Sequence, residues 1–250
     1  FKDRENVVQV GKTGWGSVGY KAGLYQSDNG EYMLSFAGTN SGSIKDLWTD
    51  AKGGLGLVPE QFRMAGRAAS AVKEITGDNM IVTGHSLGGG LAAYSSLMTG
   101  APSVTFNPMD MPNSLIDHAI KNAVPQSPYT GMSAKEAVAA SHEPDSGNRQ
   151  YVQQGEFLDG IQSLTQYPDF GEKTVLPRTW KEAAVPHPPA HWHGIDLLIP
   201  RLEKHLDQEI MNQEPLVAIE PTPEDPPTAE EATGEPTVGS HGSGSEWGIG

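Results

Sequence analysis

The sequence predicts an α/β fold with a mostly parallel central sheet flanked by helices, and three observations predict it. Strand-like and helix-like patterns alternate between residues 59 and 206, as they do when helical crossovers join parallel strands. The stretch MIVTGHSLGGG at residues 80–90 drives a short apolar run into a serine fenced by glycines, and an apolar, alanine-rich run follows from Leu87 to Met98. That order reads as strand, tight turn, helix. The length of 250 residues suffices for one sizeable core, and α/β folds of this size are commonly single domains.

Residues 20–37, YKAGLYQSDNGEYMLSFA, form two strand-like runs around SDNG, whose Asp, Asn and Gly favour a hairpin turn. The second run ends in FAGTN. Residues 42–58 are glycine-rich and without period, which suits an irregular segment or a lid. From Pro59, Phe62, Ala65, Ala69, Val72 and Ile75 recur at three- and four-residue spacing up to Gly77, the signature of an amphipathic helix. Ser103 to Phe106 is the next strand, ending at Asn107-Pro108. Residues 110–148 read as an insertion with weak helical stretches at Leu115–Ala123 and Ala134–Ala140. Tyr151 to Gln154 is a third strand after those at Met80 and Ser103, and VPHPPAHWHG is a loop leading into a helix striped by Ile195, Leu198, Leu202 and Leu206.

The charge balance divides the chain. Residues 213–250 hold eight acids, six prolines and no Lys or Arg, a composition that cannot bury a core, so a disordered acidic tail is expected there and a folded domain over residues 1–212. The tail accounts for −8 of the net −14, leaving −6 on the domain. Clustered cations for nucleic acid or anionic lipid are therefore not expected, and contact with a lipid surface would have to be apolar. With no cysteine, thiol nucleophiles and thiolate metal sites are excluded. The chain opens on Phe1 without a signal-like apolar core, which reads as a piece of a longer or processed protein.

Gly84-His85-Ser86-Leu87-Gly88 fits G-x-S-x-G, in which small flanking residues let a strained turn expose a nucleophilic hydroxyl. An alcohol needs a base to take its proton and a carboxylate to orient that base, in the order serine, acid, histidine for a turn of this type. His193, in a loop before the last helix with Gly194 beside it, is preferred as the base over His191. Glu156 and Asp159 both follow the YVQQG strand and both qualify as the acid, with Asp110 as a third candidate. The oxyanion would be held by the N–H of Leu87 at the helix start and by that of Thr39 in FAGTN.

Together FAGTN, the following DLWTD, GHSLGGGLAA and the late HGID resemble the fungal-type (class three) lipases, and more closely the bacterial lipase-like phospholipase effectors of secretion systems. The likeness spans residues 20–206. It departs at Ala37, where these lipases usually carry Arg, and at Glu156-Phe157, where many carry Asp-Pro. The resemblance implies an α/β-hydrolase fold, with Ser86, His193 and Thr39 at the matching positions. The activity it implies is hydrolysis of lipid esters at a membrane or micelle surface, with no metal or organic cofactor. It also implies export, and a secretion-system, chaperone or immunity partner. The rival readings are a soluble esterase or thioesterase on the same scaffold, and an inactive hydrolase fold used for binding.

Overall fold

A computed structural model describes residues 7–15, 20–38, 58–155, 167–178 and 194–212. Seven strands lie in sequential order in one sheet: β1 (Val7–Trp15), β2 (Tyr20–Ser27), β3 (Tyr32–Phe36), β4 (Met80–His85), β5 (Ser103–Phe106), β6 (Arg149–Gln153) and β7 (Glu172–Leu176). The first three pair antiparallel, and β3 to β7 pair parallel. The β2–β3 hairpin turns where SDNG predicts it, with Gly30 at φ 79° and its N–H on the Ser27 carbonyl at 2.9 Å. The fold class expected from the alternation is the one observed.

Helix α1 (Glu60–Thr76) joins β3 to β4, α2 (Leu87–Thr99) joins β4 to β5, and α3 (Asn113–Lys121) with α4 (Ala134–Ser141) joins β5 to β6. These helices share one core with the alternate strand residues Leu34, Phe36, Met80 and Val82. Every residue of α2 is buried, so it is the central helix of the layer. Phe62 of α1 meets Tyr94 of α2 edge-on at 5.4 Å. On the other face, Phe106 stacks on Tyr151 at 5.9 Å, and His205 of α5 (Ile195–Asn212) meets Tyr151 at 6.1 Å.

Three sequence readings need correction. Residues 110–148 are no insertion: Leu115, Ile116, Ala119 and Ile120 of α3 and Ala134 and Ala137 of α4 belong to the main core, so this segment is the β5–β6 crossover itself. Ile75, placed on the buried stripe of α1, is 82% exposed, because the buried face is Phe62, Ala65, Gly66 and Ala69 and turns away before the last turn. Of the stripe assigned to α5, Leu198 is fully buried but Leu206 is exposed. Strands β1 and β7 were not foreseen. Among the described residues both are edge strands with one pairing partner.

A buried polar hub ties the crossover to the sheet. The Asn148 side-chain oxygen accepts from the Ser103 N–H (2.9 Å), the Ser103 hydroxyl (2.7 Å) and the Ser96 hydroxyl (3.0 Å), while its amide donates to Tyr129 Oη at 2.8 Å. Removing this acceptor orphans several buried donors at once, each costing roughly 1–3 kcal/mol. Asn148→Ala is therefore expected to lower stability by about 2–4 kcal/mol, read as a shift of the urea midpoint at constant m-value.

His118 supplies a pH dependence. Its Nδ1 lies 2.7 Å from Tyr94 Oη, whose pKa burial pushes up to about 12, so the phenol stays protonated. Desolvation first, then the Arg63 and Lys121 charges, hold the imidazole below its ordinary 6.5. The unfolded chain thus binds this proton more tightly than the folded one. The stabilisation is complete above pH ~6.5 and is lost as pH falls through the folded value. The melting temperature of His118→Gln should accordingly fall less between pH 7 and pH 5 than that of the unsubstituted protein.

Candidate active site

The strand-to-helix turn at Ser86 is built by contacts that leave no room for side chains. A Cβ on Gly84 would meet the Gly88 carbonyl, and a Cβ on Gly88 would meet the Phe36 carbonyl, backbone atoms that cannot swing aside. The spacing of two residues on either side of the serine therefore has a steric cause. It lets the end of β4, the first turn of α2 and the end of β3 approach backbone to backbone. Ser86 sits between them at φ 59°, ψ −126°, a conformation that costs a side-chain-bearing residue about 1–3 kcal/mol.

Hydrogen bonds hold that strained residue from both sides. Its N–H donates to the Phe106 carbonyl at 3.1 Å, and its own carbonyl accepts from Gly89, Gly90 and Met109 at 2.9, 3.2 and 3.0 Å. Ser86 is only 1% exposed, and its Oγ has no hydrogen-bond partner among the described residues. Leu87 is the first residue of α2, a position whose N–H has no intrahelical acceptor, and no acidic residue in that turn competes for an anion.

Of the other expected site residues, all but Asp110 fall outside the described chain. Thr39, Glu156, Asp159, His191 and His193 lie outside the described residues. Their described neighbours can be placed. A Cβ on Gly38 would lie 2.7 Å from the His85 carbonyl and 3.5 Å from Ser86 Cβ, so the end of FAG reaches the serine turn. Gly155, at φ 69°, lies two residues past the end of β6, and β6 is two strands from β4, a lateral separation of about 10 Å at ~4.8 Å per strand. Asp110 is described and 8% exposed, and it lines a small cleft with Ala93, Met111, Gln150 and Phe170. Among the described residues, no three His, Asp or Glu side chains group so as to hold a metal ion.

One residue at this edge was not singled out in the sequence. Asn107, just past β5, has φ 39° and is 1% exposed, and its side-chain oxygen accepts from the Gln153 N–H at 2.8 Å. The only sequence signal was an Asn before a Pro at a strand end. A cavity lined by Tyr25, Tyr32, Met33, Asn79, Met80 and Pro102 lies at the amino ends of β3 and β4, opposite Ser86. It takes no part in this site.

Comparison with known proteins places these features in a family. The sequence model of the Tle-like phospholipase domain matches residues 6–174. An extracellular phospholipase A1 of Serratia liquefaciens is 43% identical over 89 residues, which are 36% of this chain and 27% of that protein, so the match spans about a quarter of the relative's length. Among solved structures, lipase II from Rhizopus niveus is similar at a TM-score of 0.45 and 15% identity over 68% of this chain and 67% of the lipase. A lipase from Rhizopus microsporus var. chinensis is similar at a TM-score of 0.44 and 15% identity over 68% and 62%.

The glycine packing gives a direct test. In Gly88→Ala the new methyl must push α2 away from the end of β3, so a loss of about 2 kcal/mol or more is expected, together with loss of covalent labelling of Ser86 by a fluorophosphonate. Thermal unfolding and intact-mass labelling measure the two effects separately.

Proposed function

We propose that this chain, which belongs to the family of Tle-like phospholipase domains, hydrolyses carboxylic esters of lipids, with glycerophospholipid as its substrate class, through an acyl-serine intermediate at Ser86. The observation that carries this reading is the serine hydroxyl on left-handed backbone between β4 and α2, with the end of β3 packed against it. The name of the Serratia relative, an extracellular phospholipase A1, supports both the substrate class and an exported or delivered protein.

In this reading His193 takes the Ser86 proton as Oγ attacks the ester carbonyl, and the N–H groups of Leu87 and Thr39 hold the oxyanion. His193 then protonates the departing alcohol as the carbonyl–oxygen bond breaks. Water attacks the acyl-enzyme by the same proton route and frees the fatty acid. Glu156 is the preferred carboxylate behind the imidazole and Asp159 its rival. Glu156 follows Gly155 directly in sequence, and Gly155 lies just past β6, two strands from β4. The substrate would be met at a membrane or micelle surface by apolar contact, since residues 1–212 carry a net −6.

Product analysis on phosphatidylcholine vesicles tests nucleophile and substrate together. The unsubstituted protein is expected to release fatty acid and lysophospholipid, and Ser86→Ala to lose at least about 10³-fold in kcat. Equal turnover by Ser86→Ala would remove the serine from the chemistry. Turnover of short soluble esters with no gain on aggregated lipid would favour a soluble esterase or thioesterase, and failure to label Ser86 would favour an inactive binding fold. Comparing Glu156→Gln with Asp159→Asn identifies the acid as the position whose loss lowers kcat about 10⁴-fold.

A further inference from the structure

We infer that Asn107 is a positioning residue for Ser86, locking the serine turn to the exits of β5 and β6. This rests on the reading of Ser86 as the nucleophile. Asn107 combines two properties. Its backbone is left-handed at φ 39°, a conformation that Asn adopts more readily than other residues bearing a Cβ. Its side chain is buried, 1% exposed, and acts as an acceptor.

The hydrogen bonds show what the combination achieves. The Asn107 N–H donates to the Tyr151 carbonyl at 2.8 Å, extending the β5–β6 ladder by one rung. In a regular parallel ladder the next donor, the Gln153 N–H, would meet the Asn107 main-chain carbonyl. It instead meets Asn107 Oδ1 at 2.8 Å. The side chain replaces the ladder acceptor, so the backbone is free to leave the sheet at that residue. Two residues on, the Met109 N–H grips the Ser86 carbonyl at 3.0 Å, while the Ser86 N–H remains on the Phe106 carbonyl at 3.1 Å.

The same rim continues sideways. The Gln154 N–H donates to the Leu176 carbonyl at 2.9 Å and the Arg178 N–H to Gln154 Oε1 at 3.1 Å, joining the exits of β6 and β7. From β4 to β7 the carboxyl edge of the sheet is therefore one hydrogen-bonded rim, and Asn107 is its link next to the serine. An alanine there loses the acceptor, orphans the buried Gln153 N–H and resists φ 39°. A glycine keeps the backbone but not the acceptor, whereas an aspartate keeps both.

The test compares the unsubstituted protein with Asn107→Ala, Asn107→Gly and Asn107→Asp. It measures kcat and KM on phosphatidylcholine vesicles, the rate of fluorophosphonate labelling of Ser86, and the folded fraction. Misplacement of a reacting group by about 1 Å costs on the order of 10²-fold. The Ala and Gly variants should therefore fall about 10- to 100-fold in kcat and in labelling per folded molecule, with KM within about twofold, and Asp should stay within about tenfold of the unsubstituted protein. Should Asn107→Ala not fold, the Gly variant, which has no left-handed strain, carries the comparison. A folded Ala or Gly variant that labels at the unsubstituted rate overturns the inference and leaves the hydrolase reading intact. If the unsubstituted protein is itself inert to the probe, the nucleophile reading fails instead. Amide exchange at Met109 then decides: faster exchange in the Ala or Gly variant supports the hold on the turn, and equal exchange overturns it.

Discussion

At the carboxyl end of β4 three stretches of backbone meet with no side chain between them, and the rest of the structure depends on that contact. Gly84 lies under Gly88, and Gly88 lies against the Phe36 carbonyl. A single methyl at either position would separate α2 from the sheet. The approach forces Ser86 onto strained backbone, and such strain persists only where the surroundings over-determine it. Here they do. Three N–H donors converge on the Ser86 carbonyl, its own N–H is bound to β5, and the following helix is buried along its whole length.

The polar groups at the same edge follow a consistent logic. A buried main-chain donor must find an acceptor, and at the exits of β4, β5 and β6 the next strand supplies it. Asn107 resolves the case in which the chain must leave the ladder early. Asn148 plays the corresponding structural part at the amino end of β5 and β6, where one side-chain oxygen serves three donors. The two asparagines bracket the same pair of strands, one below the core and one beside the serine. The start of α2 completes the electrostatics, with the positive end of the helix dipole beside Ser86 and no carboxylate in its first turn.

In the proposed reading a neutral ester gains negative charge in the transition state, and N–H dipoles fixed at the start of α2 need no reorganisation as that charge develops. The net charge of residues 1–212 is negative, which does not favour cationic attraction to an anionic surface, and among the described residues no helix is long and apolar enough to cross a membrane.

The sequence by itself determined the features set by local sterics and by periodicity. The β2–β3 hairpin, helices α1 and α2, strands β4 and β5 and the serine turn were legible because glycine spacing, turn residues and apolar period act within a few residues of one another. Tertiary structure decided the rest. Strands β1 and β7, each with one partner at an edge of the sheet, carry little pattern of their own and exist because a neighbour offers a ladder. The 110–148 segment looked like an insertion because its prolines interrupt the period, yet its apolar residues complete the core that α1 and α2 leave open. Ile75 fits the helical spacing but projects past the end of the sheet-facing surface into solvent. The role of Asn107 could not be read from Asn-Pro alone, since it depends on Gln153, forty-six residues away, bringing its N–H within 2.8 Å of Asn107 Oδ1.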